Sequence, residues 1–291
     1  MIGSDWFLLG APWDCSGTNR GEAQAPGALR GAGLAGLVDV DLGDAATAIS
    51  SSRRDRATGV RALPETIAAA RELSAALWDG VRDHPGRRPL VLGGDCSLLL
   101  GVFAGAHAVR GDLGLWIVDG HPDYLDAQSS DTGETADLEL AVLTGDGPPD
   151  LLALGGTVPM VAARHVALIG HRTADLDPAA AAELGRVPAG MVTIDATAVV
   201  GDPHGAGDEA AAWADRPMWL HVDVDVLDPS ALPAVTYPQA GGPDLDQLAA
   251  VLTPLARSPH LVGVSIADFR PDLDPGGAQA ARLVALLDRV L

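Results

Sequence analysis

The chain has 291 residues, 47% of them hydrophobic, enough to bury a full core. Its 39 Asp and Glu outnumber 19 basic residues, all of them arginine, for a formal charge of −20; this excludes nucleic acid and anionic membranes as partners. The lack of lysine excludes a Schiff-base or Walker-type lysine, and 2 cysteines exclude a disulfide framework, a four-cysteine zinc site and an iron–sulfur cluster.

The opening MIGSDWFLLGAPWDC has no basic residue ahead of its short apolar run, so it does not read as a signal peptide. No apolar run approaches the ~20 residues of a membrane span. The expectation is a soluble, cytoplasmic protein. Short apolar blocks read as strands at Trp6–Leu9, Leu37–Val40, Pro89–Leu92, Leu113–Val118, Val166–Ile169, Met191–Ile194, Met218–Val224 and His260–Ile266. They lack clean alternation, as strands covered on both faces do. Between them lie stretches with helical spacing. Leu63, Ile67, Ala70, Leu73, Leu77 and Val81 form one stripe, and further helices are expected over Ser97–Val109, Ala136–Leu143, Pro178–Leu184, Asp244–Ala256 and Ala278–Leu291. Asp44–Arg56 reads as an exposed loop, and Gly145–Asp150 and Gly201–Asp208 as turns. None is a linker, so a single domain over 1–291 is expected. Strand, helix, strand, repeated, predicts an α/β fold with a mostly parallel sheet.

In such a sheet ligands sit beyond the carboxyl ends of the strands. Pro89–Leu92 is followed by GGDCS (Gly93–Ser97), and Leu113–Val118 by DGHPD (Asp119–Asp123). The strand at Met218 runs into DVDVLDP (Asp223–Pro229), and the last strand ends in ADFRP with Asp268 and Arg270. Residues i and i+2 at a strand end point the same way, so Asp119 and His121 share a target, as do Asp223 and Asp225. Any one such Asp is ordinarily a cap or turn residue, and Asp95 and Asp228 are read that way. Together, however, carboxylates gathered without a basic neighbour repel strongly. One or two divalent cations relieve this, and oxygen ligands with one imidazole suit Mn²⁺.

These three motifs, in this order, resemble the arginase/agmatinase (ureohydrolase) family, whose pattern is GGDHS, then DAHxD, then SxDxDxxDP. Thr18–Leu34, Leu168–Pro178 and Gly263–Pro271 resemble its N-terminal Arg-Gly segment, its IGxRDxDP strand end and its final strand. The resemblance implies a three-layer α/β/α sandwich around an eight-stranded, mostly parallel sheet. It also implies two Mn²⁺ ions bridged by a hydroxide that attacks a guanidino carbon, releasing urea and an amine. Carried over by position, one metal takes Cys96, Asp119, Asp123 and Asp223, and the other takes Asp119, His121, Asp223 and Asp225. Asp123 would orient the hydroxide, and Asp268 would face the guanidinium where the family has glutamate. Ser130, Thr132 and Glu134 fall in the loop that reads the substrate's amino-acid end, where an asparagine is replaced by Leu125. Asp175 or Asp177 falls at the amine-contacting aspartate. The implied partner is a small guanidino substrate, and the implied assembly is a homo-oligomer, trimer or hexamer.

The chain also departs from the pattern. Cys96 stands where the family has histidine; a thiolate adds negative charge, lowers the Lewis acidity of the pair and opens the site to Zn²⁺, Fe²⁺ or Co²⁺. Ala136 falls where arginases carry a proton-shuttling histidine, and His171 is the one nearby substitute. Both changes suit a leaving group that departs easily, such as hydroxylamine from an N-hydroxyguanidine. Cys96 and DGH for DAH resemble the branch that includes N-hydroxyarginine hydrolases. Two other readings stand beside this one. The first is a single-metal amide deacetylase-like hydrolase, disfavoured by the lack of adjacent histidines. The second is a non-catalytic family member that binds a guanidino ligand.

Overall fold

The strands are built from apolar runs whose alternate residues face opposite layers. In the computed structural model, which describes residues 5–291, Trp6 and Leu8 face one core while Phe7 and Leu9 face the other. The beginning of the segment read above for a signal peptide lies outside this range. The same alternation divides Trp116 and Val118 from Leu115 and Ile117, and Leu220 and Val222 from Trp219. The strands are β1 (Trp6–Ala11), β2 (Val40–Asp44), β3 (Arg88–Gly93), β4 (Gly114–Val118), β5 (Val166–Ile169), β6 (Val192–Ile194), β7 (Met218–Asp223) and β8 (Leu261–Ala267). They form one 8-stranded sheet in the order β2-β1-β3-β8-β7-β4-β5-β6, and every pairing is parallel.

Helices cover both faces. On one side pack α1 (Ala25–Gly31), α7 (Ala196–Gly201), α8 (Pro203–Trp213), α9 (Leu245–Arg257) and α10 (Ala278–Val290). On the other pack α2 (Leu63–Asp83), α3 (Leu98–Arg110), α4 (Glu139–Leu143) and α5 (Pro149–Leu152). The remaining helix, α6 (Pro178–Leu184), buries no residue in either core and lies at the carboxyl edge of the sheet. The three-layer α/β/α sandwich expected from the sequence is therefore the fold observed. No helix among the described residues is long and apolar enough to cross a membrane.

Two expectations are corrected. Leu37–Val40 is not a strand: Leu34–Leu37 forms a 3-10 turn and β2 begins at Val40, with a polar, largely exposed sequence. It is an edge strand, and Arg30 holds it through Asp41 at 2.8 Å and Asp44 at 2.5 Å. Gly201–Asp208 is not a turn but the start of α8. Pro203 occupies the first helical turn, and Asp202 caps it by accepting from the Gly205 N–H at 3.0 Å.

The strand order places the site. β3 and β4 are consecutive in sequence, yet β8 and β7 lie between them. The loops leaving β3 and β4 therefore diverge and open a crevice over the carboxyl ends of four adjacent strands.

Candidate metal centre

All four of those strand ends carry acids. Gly94 allows the turn after β3: a Cβ there would run into the Trp13 carbonyl oxygen. Asp95 accepts from the Trp13 indole at 3.1 Å and from the Ser97 N–H at 3.1 Å, so it holds the turn together, as read from sequence. Cys96 follows, fully buried, with its Sγ 2.8 Å from Asp223 Oδ2 and 4.0 Å from Asp119 Oδ2. The Asp268 carboxylate accepts from the Cys96 N–H at 3.1 Å, tying the end of β8 to the loop after β3. Asp123 and Asp268 adopt left-handed backbone, with φ of 47° and 66°, which short polar side chains tolerate best. Gly120 packs closely: an added Cβ would lie 3.0 Å from Asp225 Oδ1 and 3.2 Å from an Arg172 Nη, tighter than ordinary contact.

The donor atoms fall into overlapping groups. Sγ of Cys96 clusters with carboxylate oxygens of Asp119 and Asp223, and Asp119 clusters with His121 and Asp225; within each group the atoms lie within 4.8 Å of one another. Asp123 joins Cys96 and an acid not expected from the motifs, Glu139, within the same limit. All six expected donors thus meet in one place. Buried oxygens, one imidazole and one thiol within reach of each other fit a divalent metal pair.

The electrostatics show the repulsion such a pair would relieve. Burial, reinforced by Asp225, pushes the Asp119 carboxyl up to about 7. Burial also raises Asp123, with Glu139 and Asp119 adding to it, and raises Asp223 and Asp268 well above the usual range. Burial followed by the Asp223, Asp268 and Asp119 charges pushes the Cys96 thiol up. Asp225 goes the other way: burial opposes its ionisation, but His121 at 3.0 Å outweighs that and lowers it. Burial likewise works against His121, and Asp225 overrides it and raises the imidazole to about 9. The carboxylates do have one guanidinium among them, Arg172, which sequence reasoning did not foresee. Its N–H groups are committed to the carbonyls of Gly170 at 3.0 Å and Gln239 at 2.7 Å.

A second imidazole also reaches the site. His221 lies two residues before Asp223 on the same face of β7, with its Nε2 3.0 Å from Cys96 Sγ and its Nδ1 2.7 Å from Ser265 Oγ. The β7–β8 register pairs His221 with Ser265. The Trp219 indole donates to the same hydroxyl at 2.9 Å. An indole only donates, so Ser265 accepts from it; the same hydroxyl pairs with His221 Nδ1, and His221 Nε2 faces the sulfur. Burial lowers the imidazole to about 3, so it stays neutral.

Above these residues opens a cavity of about 270 Å³. His121, Asp123, Asp223, Asp225 and Asp268 form part of its lining, and Asp131, Asp137, Asp177 and Glu183 add further acid. Arg20 is the one arginine in that lining. It stacks 5.7 Å from the Tyr237 ring and pairs with Glu134 at 2.9 Å.

The expected substrate contacts are only partly placed there. Of the two aspartates left open by the sequence, Asp177 lines the cavity and caps α6, whereas Asp175 lines a separate hollow with Thr173 and Gln239. Thr132 lines the cavity, but Ser130 is buried, and both hydroxyls donate to the Asp137 carboxylate. Glu134 is buried beneath Arg20 rather than facing the cavity. Ala136 is in the lining, while His171 is buried outside it and supplies no replacement imidazole.

A model of the arginase family matches residues 4–290. The chain belongs to the arginase family. The arginase of Bacillus caldovelox is 30% identical over 288 residues, covering 96% of this chain and 95% of its own. Human arginase-1 is 28% identical, with 95% and 88% covered. The solved B. caldovelox arginase superposes with a TM-score of 0.87 at 29% identity, covering 99% and 98% of the two chains. The Streptomyces clavuligerus proclavaminate amidino hydrolase shares the fold, with a TM-score of 0.70 at 20% identity and 100% and 91% coverage. Within the arginase family this chain is a hydrolase.

Proposed function

We propose that the chain hydrolyses the guanidino group of a small amine, releasing urea, at a pair of divalent cations. The carrying observation is that Cys96, Asp119, His121, Asp123, Asp223 and Asp225 converge beneath one acidic cavity with Asp268 in its wall. Mn²⁺ suits the five oxygen and nitrogen ligands, and Cys96 makes Zn²⁺, Fe²⁺ or Co²⁺ competitors. When bound, such a pair supplies a water acidified enough to act as nucleophile near neutral pH.

The chain's own residues do the rest. Asp268, fixed by the Cys96 N–H, presents a carboxylate to the planar guanidinium. Asp123 lines the cavity and orients the attacking oxygen. Asp177 takes an amino group on the substrate's far end. The Thr132 hydroxyl donates to Asp137, so a substrate carboxylate meets Arg20, itself paired with Glu134, as the cation in the wall. With Ala136 in the wall, no imidazole stands where the family pattern puts the proton shuttle, so a departing alkylamine goes without help. This favours an N-hydroxyguanidine, which can expel hydroxylamine and leave a substituted urea, over a plain guanidine, which must expel its alkylamine to release urea.

The test is metal content followed by release of urea or hydroxylamine. Chain loaded with Mn²⁺ and desalted is expected to hold two equivalents. It should process N-hydroxyarginine with a kcat/KM at least about tenfold above arginine or agmatine, a difference of about 1.4 kcal/mol. Two bound equivalents with neither urea nor hydroxylamine from any guanidino compound would overturn the reading.

A further inference from the structure

Glu139 is an acid inside an apolar run, Leu138-Glu139-Leu140-Ala141-Val142-Leu143, at the start of α4. It is fully buried, and neither carboxylate oxygen meets a hydrogen-bond donor of normal geometry. A buried carboxylate without a donor is costly unless a cation compensates it. Among the described residues no ion pair reaches Glu139, and the charged groups that act on it, Asp119 and Asp268, are acids. What Glu139 does approach is Cys96 Sγ and an Asp123 oxygen, all within 4.8 Å of one another. The motif pattern that names the other donors leaves no place for this residue.

We propose that Glu139 is a ligand of the metal held by Cys96 and Asp123. This rests on the metal-centre reading above. The ion there would carry an additional anionic donor as well as a thiolate, and both reduce its Lewis acidity. Glu139 lies outside the cavity lining, so it acts on the metal from the protein side and not on the substrate.

Titration of the metal-free chain with Co²⁺ tests this independently of turnover, because a thiolate bound to Co²⁺ gives a near-ultraviolet charge-transfer band. In Glu139→Gln, which preserves shape, the equivalent that raises this band should bind more weakly by more than the ~10–100-fold typical of losing an outer partner. Its visible ligand-field bands should change, and the other equivalent should be unaffected. Glu139→Asp should recover part of the affinity. Metal-free Glu139→Gln should melt at or above wild type, with a smaller rise on adding Co²⁺. A wild-type titration and spectrum in Glu139→Gln would overturn the assignment, as would a lower metal-free melting point with an unchanged rise. Failure of the wild-type chain itself to bind Co²⁺ would instead sink the metal-centre reading.

Discussion

At position 96 the side chain is a thiol, and an imidazole stands across from it at 221, where the family pattern has serine. The two are in contact at 3.0 Å, so a thiol beyond β3 is matched by an imidazole on β7, two strands away, rather than a histidine being simply lost. It follows that Cys96→His alone is a poor repair: a ring at 96 would compete with the ring at 221 for one buried space. Cys96→His with His221→Ser should raise kcat/KM for arginine at least about tenfold above the product of the two single effects, an interaction of about 1.4 kcal/mol in the double-mutant cycle. Additive effects of the two changes would show that the residues act separately. His221 was visible in the sequence two residues before Asp223, yet its contact depends on a register that only the folded sheet supplies. Glu139 had a quieter signal, a single acid among apolar neighbours, and no motif to claim it.

Among the elements, α6 joins structure to specificity most directly. Asp177 both caps it, accepting from the Ala179 and Ala180 N–H groups at 2.8 and 2.9 Å, and lines the cavity. These roles can be separated. Asp177→Asn keeps a competent cap and should leave the melting temperature nearly unchanged while raising KM for a substrate bearing an amino group. Asp177→Ala should raise KM as well and cost about 1 kcal/mol of stability. An unchanged KM in both variants would remove Asp177 from the binding site. The elements that sequence reading found are those whose burial is written in composition: central strands covered on both faces are continuous apolar runs. β2 was misplaced because an edge strand needs no such run and is held by Arg30 instead. α8 was missed because Pro203 and its glycines read as a turn, while packing against α9 makes them a helix. The gathering of acids at the strand ends was legible from i, i+2 spacing. The substrate contacts were less so, because whether Ser130 or Glu134 faces the cavity depends on their partners Asp137 and Arg20.

Over the whole molecule, buried acid couples stability to pH. Burial raises Glu22 and Asp119 to about 7 and Glu134 to about 6, above the ~4 of an unfolded carboxylate. Between those values the folded chain holds protons that the unfolded chain has released, so stability falls as pH rises through the window. Acids held low, such as Asp228 and Asp272, act in the opposite sense, but only below ~4. The metal-free protein should therefore melt at progressively lower temperature from about pH 5 to about pH 8. With Mn²⁺ the trend should weaken or reverse, because ligands must be deprotonated to bind. Scanning calorimetry in chelator and in Mn²⁺ checks both, and a chelated melting point that climbs over this range would refute the prediction. The strand order carries a consequence for biosynthesis. β7 and β8 occupy the middle of the sheet, between strands made much earlier. A nascent chain that has emerged only through β6 holds β3 and β4 with their future neighbours still unmade, and with Cys96 and Asp119 on opposite sides of a gap. Metal capture thus waits for the last quarter of the chain, and a polypeptide that stops short of Ala267 cannot assemble the pocket at all.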